Sequence, residues 1–120
     1  MQKFKTPNVL YMLKGGNMVA VVYTTVGSIQ DARKIAHTLV EEQLVACVNI
    51  IPEIESVYNW KGKIEEDNEL VLIAKTTDEN VKKTIQRIKT LHSYDIPDII
   101  VLPIIGGHKE YLEYISNQTT

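Results

Sequence analysis

Two stretches of the chain are apolar at both alternating positions, Met18–Thr25 (MVAVVYTT) and Glu69–Thr76 (ELVLIAKT). That pattern predicts central strands covered on both faces. After the first, the period changes. Ile29, Ala32, Ile35, Ala36, Leu39 and Val40 recur at helical spacing, and Ser28 precedes Asp31 at capping-box distance, which predicts a helix over Ser28–Gln43. Val45–Ile51 and Ile54–Trp60 then read as extended segments with a Pro52 break between them, running into a turn at Lys61-Gly62-Lys63. They form one arm of a large hairpin whose return strand is Glu69–Thr76. Such an arm projects past a small domain and invites a partner. Thr77 and Asp78 are N-cap candidates for a second helix carrying Val81, Ile85, Ile88 and Leu91 on one side. Beyond the loop His92–Pro97, Asp98–Ile105 is a last β-rich run in which Pro103 marks an edge or an end. Gly106-Gly107 breaks it, and a short helix over Lys109–Ser116 closes the chain.

The order βαββαβ plus a terminal helix predicts an α+β, ferredoxin-like sandwich with a long hairpin between its second and third strands. In that arrangement the first and third strands are central, and these are the two that read as buried on both faces. Two helices cover only one face of a four-stranded sheet. The alternation of Val19, Val21 and Tyr23 with Ala20, Val22 and Thr24 leaves the other face apolar, so association through that face or the sheet edges is expected. At 120 residues the chain fits one domain, 18–116, with a tail at 117–120. Residues 1–17, with Lys3, Lys5, Lys14 and a Gly-Gly pair, read as a disordered extension.

Composition narrows the function classes. An apolar share of 44% and a charged share of 23% are those of an ordinary globule, and a net charge of −2 gives no case for nucleic acid or an anionic membrane as partner. No apolar run reaches the roughly 18–20 residues of a membrane span. The one cysteine excludes an internal disulfide and fits a reducing cytosol, so a cytoplasmic location is expected.

Signatures of catalysis are absent: no Walker loop, G-x-G-x-x-G, G-x-S-x-G, H-E-x-x-H or C-x-x-C occurs, and no catalytic residue is assigned. Cys47 lies in an apolar strand, as a small hydrophobe or as a soft metal ligand. Asn49, on the same strand, can satisfy a buried backbone group. Tyr58 and Trp60, at i and i+2, put both rings on one side of the arm, for packing between subunits or for stacking on a small ligand. Lys75, near the end of a buried strand, wants a carboxylate or an anionic ligand, and Asp98 is a natural partner for it or for the His92–Tyr94 loop. Together Cys47, Asn49, Tyr58, Trp60, Lys75, His92, Tyr94 and Asp98 are candidates for one polar cleft. His37 and His108 read as solvated or capping residues.

The runs Ala46–Pro52 (ACVNIIP), Ser56–Glu65 (SVYNWKGKIE), Ala74–Thr76 (AKT), His92–Asp98 (HSYDIPD) and Pro103–Leu112 (PIIGGHKEYL), in this order, resemble the divalent-cation-tolerance (CutA) family over about Met18–Ile115. The resemblance implies a homotrimer similar to those of PII signalling proteins, with neighbouring strands paired edge to edge and an inter-subunit cleft lined by the motif residues. It also implies a role in tolerance to copper and other divalent cations. No cofactor is required on this reading, and Cu²⁺ or another divalent cation is the expected ion. Members associated with copper carry a cysteine and two adjacent histidines where this chain has Tyr23 and Leu91-His92, so His92 alone remains as a metal candidate. Asp98 stands in place of a glutamate and Tyr114 in place of a tryptophan. The expected function is a cytosolic homotrimer that binds a metal ion or small ligand between subunits. The alternatives are an enzyme acting on a small anionic substrate, with Lys75 holding the anion and His92 or Asp98 moving a proton, and a purely structural scaffold.

Overall fold

The computed structural model describes residues 18–120; the expected extension over 1–17 lies outside them. Seven elements follow one another: β1 (Val19–Val26), α1 (Ile29–Glu41), β2 (Cys47–Trp60), β3 (Lys63–Thr77), α2 (Asp78–Leu91), β4 (Ile100–Pro103) and α3 (Lys109–Asn117). The four strands form one antiparallel sheet in the order β2-β3-β1-β4. This is the expected ferredoxin-like arrangement, with the two doubly apolar strands, β1 and β3, at the centre. Val22, Val26, Leu72 and Ala74 turn to the helix side and pack with Ile35, Leu39 and Ile88 of α1 and α2.

Ser28 caps α1 as its spacing predicts, its Oγ accepting the Asp31 N–H at 3.1 Å. The helix ends at Glu41 rather than Gln43. Gln43 takes a left-handed conformation (φ 58°), and the N–H groups of Gln43 and Leu44 return to the carbonyls of Val40 and Leu39. A glycine normally signals such a stop, and none is present. The Leu44 carbonyl then accepts from Thr76 Oγ1 (2.7 Å) and Asn80 Nδ2 (3.3 Å), which ties the entry to β2 onto β3 and α2.

The arm is longer and more regular than its sequence suggests. Its return strand starts at Lys63, not near Glu69, and the turn is the two residues Lys61-Gly62, both at positive φ (52° and 83°), closed by the Trp60–Lys63 rung. Successive positive φ values suit the strand twist, and a glycine at the second of them carries no steric cost. At the Pro52 break the strand does not stop. Ile51 pairs with Val71 and Ile54 with Glu69, so Pro52 and Glu53 together face one residue, a β-bulge with Glu53 at φ 52°. The last strand covers only Ile100–Pro103 of the expected Asp98–Ile105.

The face away from α1 and α2 is partly covered. Leu112 and Ile115 of α3 pack on Val19 at one end of the sheet. Elsewhere Ile51, Ile100 and Leu102 stay exposed, as do Val57 (61%) and Ile64 (69%) on the arm. Among the described residues no helix is long and apolar enough to cross a membrane.

Candidate functional site

The bulge decides which arm residues share a face with the open side of the sheet. Before it, Cys47, Asn49 and Ile51 lie on that face, paired with Lys75, Ile73 and Val71. One extra residue inverts the alternation. After it, Ile54, Ser56, Tyr58 and Trp60 take the face, opposite Glu69, Asp67, Glu65 and Lys63. The result is a cleft of about 590 Å³ where the arm leaves the sheet, with the loop from Tyr94 to Asp98 as its far wall. Tyr23, Tyr58, Trp60 and Tyr94 supply aromatic rings; Asp67, Glu69, Asp95 and Asp98 supply four carboxylates; among the described residues no Lys, Arg or His lines it.

A hydrogen-bonded chain organises its floor. Glu69, only 8% exposed, accepts from Tyr94 Oη at 2.6 Å, and Thr25 Oγ1 stands 2.9 Å from the same oxygen. The Thr25 hydroxyl also contacts Asp98 Oδ2, and the Thr25 N–H donates to Asp98 Oδ1 at 3.3 Å. Higher on the arm, Tyr58 donates to Asp67. Gly27 lies against the same ring: a Cβ there would come within van der Waals contact of Tyr94 Oη, at 3.4 Å. Burial pushes the Glu69 carboxyl up, but hydrogen bonds from Tyr94, Ser56 and Thr25 and the charge of His92 outweigh it, and the net direction is down. For Tyr94, burial, the hydrogen bond to Glu69 and the nearby carboxylate charges act together and raise the phenol above its ordinary value. The folded state therefore holds that proton more tightly than the unfolded chain. Its stabilising contribution is full below about pH 10 and is lost as pH climbs further. We expect wild type to lose thermal stability between pH 9 and pH 11, and Tyr94→Phe to show a shallower loss in the same thermal-melt series. Parallel alkaline slopes would contradict this.

Four of the eight sequence candidates contribute to this cleft: Tyr58, Trp60, Tyr94 and Asp98. His92 stands behind it. Its Nε2 lies 2.7 Å from the Thr25 carbonyl and its Nδ1 accepts the Tyr94 N–H at 3.1 Å, which assigns the ring proton to Nε2. Both nitrogens are engaged by backbone, so His92 holds the loop in place and presents no free lone pair to a metal. Cys47, Asn49 and Lys75 belong elsewhere. Lys75 pairs with Val21, and the Thr25–Val71 rung is four residues along, roughly 13 Å at the usual strand rise. Asp98 is thus out of its reach. Lys75 instead donates to Tyr111 Oη at 3.2 Å, a bond that raises its pKa, and sits 5.4 Å from the centre of that ring. The Cys47 thiol is half-buried, with Asn49 Oδ1 4.0 Å away. Lys75 lines a smaller pocket of about 200 Å³ with Val21, His108 and Tyr111, apart from Asp98 and the arm cleft. Of the two positions where copper-associated members differ, Tyr23 lines the cleft and Leu91 packs against the core. Sequence reasoning missed Thr25, Asp67 and Glu69. The signal for Thr25 and Glu69 was the antiparallel pairing of β1 with β3, which brings the end of β1 to the middle of β3.

The family model described as CutA1 divalent ion tolerance protein matches residues 20–118. The chain is 48% identical over 102 residues to the divalent-cation tolerance protein CutA of Thermus thermophilus, covering 85% of this chain and 99% of that one. It is 46% identical over 99 residues to the chloroplastic protein CutA of Arabidopsis thaliana, covering 82% of this chain but 54% of that one, so it spans about half the length of the plant relative. Two solved structures have the same fold. The Cut A1 protein of Thermus thermophilus, 48% identical, matches with a TM-score of 0.84 over 86% of this chain and 100% of that one. The periplasmic CutA of Archaeoglobus fulgidus, 40% identical, gives 0.81 over 84% and 98%. A family match that runs from the second residue of β1 to the end of α3 takes in every strand and helix that builds the cleft, and the chain belongs to the CutA1 divalent ion tolerance protein family.

Proposed function

We propose that the protein acts in divalent-cation tolerance as a cytosolic homotrimer that binds a cation in the cleft at the base of the arm. The observation that carries this reading is the lining: among the described residues, four carboxylates and no cationic side chain in one concavity. Such a site attracts positive charge and repels anions. Asp67 and Glu69 lie on β3, Asp95 and Asp98 on the loop, and three of the four already accept hydrogen bonds, so a divalent ion is held with part of its water shell, in the manner of hard cations on oxygen ligands. The exposed apolar residues Ile100 and Leu102 at the sheet edge, and Val57 and Ile64 on the arm, favour association, and the family resemblance supports three copies. The lone cysteine suits a reducing compartment.

Native mass spectrometry of the full chain, alone and with Mn²⁺ or Cu²⁺, tests this. The expected result is a trimer that gains up to three ions. Uptake should fall at least tenfold in Glu69→Gln and stay unchanged in Cys47→Ser. A monomer, or a trimer that takes up no ion, would overturn the reading.

A further inference from the structure

The loop 92–98 carries Tyr94, Asp95 and Asp98 of the cleft wall, and side chains at three positions hold it to the sheet. Tyr94 bonds Glu69, Asp98 bonds Thr25, and His92 bonds the Thr25 carbonyl. Only the last of these depends on a side chain whose ordinary titration falls between pH 5 and 8. The His92 backbone is anchored from behind, its N–H donating to the Ile88 carbonyl at 2.8 Å. Its ring spans two backbone groups whose roles are fixed. The Thr25 carbonyl, 2.7 Å from Nε2, only accepts, and the Tyr94 N–H, 3.1 Å from Nδ1, only donates. The neutral ring with its proton on Nε2 satisfies both, and no other form does. A second proton, on Nδ1, keeps the bond to β1 but sets two N–H groups against each other where the loop begins. These contacts lie within one chain and do not depend on what covers the open face of the sheet.

The charges around the ring favour that second proton. The carboxylate of Glu69 on β3 and the charge of His92 act on one another. Asp98 meets the same Thr25 that holds the ring, and Asp95 lies on the same loop. The Tyr94 ring, its centre 4.6 Å from that of His92, keeps its phenol protonated. On α2, Arg87 is paired with Glu42, and Lys89 stands in the last turn. Electrostatics thus admits the proton, while the hydrogen-bond geometry at Tyr94 does not survive it.

We propose that His92 is a proton-operated latch: the neutral ring pins the Tyr94 backbone beside β1, and protonation of Nδ1 in mild acid releases the loop and its contacts to Glu69 and Thr25. The consequence for cation binding rests on the reading of the cleft as the cation site; the latch itself does not.

Nuclear magnetic resonance of the ¹⁵N-labelled full chain, with no metal added, tests the latch. Between pH 7.5 and pH 5.5 the His92 ring resonances should titrate. The Tyr94 amide should shift in step and lose about tenfold of its protection from hydrogen exchange, after allowance for the pH dependence of free exchange. His92→Asn separates a switch from a strut. An Asn side-chain carbonyl accepts the N–H two residues on and does not titrate, so protection should persist across the range. His92→Phe offers no acceptor, and its Tyr94 amide should be weakly protected at both ends. A ring that stays neutral down to pH 5 would overturn the inference. So would a Tyr94 amide that keeps its protection while the ring titrates, or an Asn variant that follows the wild-type profile. Calorimetry with Mn²⁺ over the same range reads the consequence: affinity should fall about tenfold toward pH 5.5 in wild type and much less in His92→Asn. A titrating Tyr94 amide with Mn²⁺ affinity indifferent to pH would uphold the latch and count against the cleft as the cation site.

Discussion

Glu69→Ala is expected to destabilise the protein by about 2 kcal/mol, because it strips the acceptor from the half-buried Tyr94 hydroxyl. Thr25 keeps Asp98 as its acceptor, so Tyr94 alone is left with a donor facing a gap. The melting temperature should fall by on the order of 10 °C. Glu69→Gln retains one carbonyl oxygen for Tyr94 and should lose about 1 kcal/mol. The two variants also differ from wild type in acid. The pKa of the Glu69 carboxyl is lowered in the folded state from its ordinary value of 4.5. Its stabilisation is therefore present above about pH 4.5 and disappears as pH falls through the lower, folded value. Wild type should lose stability over that acid window more steeply than Glu69→Gln, as read from denaturant midpoints between pH 3 and pH 6. If Glu69→Ala melts with wild type at neutral pH, the hydroxyl chain is not a structural element and the cleft has no fixed floor.

The sheet was legible in the sequence because its evidence is local. Valine-rich runs apolar on both faces can only be central strands, and the capping spacing of Ser28 and Asp31 needs no partner to be read. The cleft was half legible. Tyr58, Trp60, Tyr94 and Asp98 stand next to turns and a proline, where side chains point at concavities. Thr25 and Glu69 sat inside runs read as apolar strand, and only the pairing of β1 with β3 brings them together. Cys47, Asn49 and Lys75 were grouped with the others because they lie on the same strands. Four residues of strand separate their end of the sheet from the cleft, and α3 closes over that end through Leu112 and Tyr111. The end of α1 was not legible either, since Gln43 enters the left-handed region without a glycine to announce it.

The second large effect concerns the bulge. Deleting Glu53 should straighten the arm without turning it, because Pro52 alone would then face Leu70 while Ile54 stays opposite Glu69 and the later rungs are unchanged. Deleting Glu55 with the bulge kept should invert the arm beyond Ile54. Val57 and Asn59 would turn to the cleft, and Tyr58 and Trp60 to the opposite side. The helices and central strands lie outside both changes, so circular dichroism should stay near that of wild type. A readout that needs no ligand is available in Tyr58. Its hydrogen bond to Asp67, together with burial and the neighbouring carboxylates, raises its pKa to about 12. In the Glu55 deletion one of the six tyrosines should return toward its ordinary value of 10 in a spectrophotometric titration, and uptake of a divalent cation should fall. In the Glu53 deletion both properties should be retained. Glu53→Gly is a further control. It keeps the extra residue and relieves the positive φ, so it should also retain both and gain roughly 0.5–1 kcal/mol. A Glu55 deletion with an unshifted Tyr58 would mean that the strand gives up its bulge to keep its later rungs, and the claim that Pro52 and Glu53 hold a fixed bulge would fall.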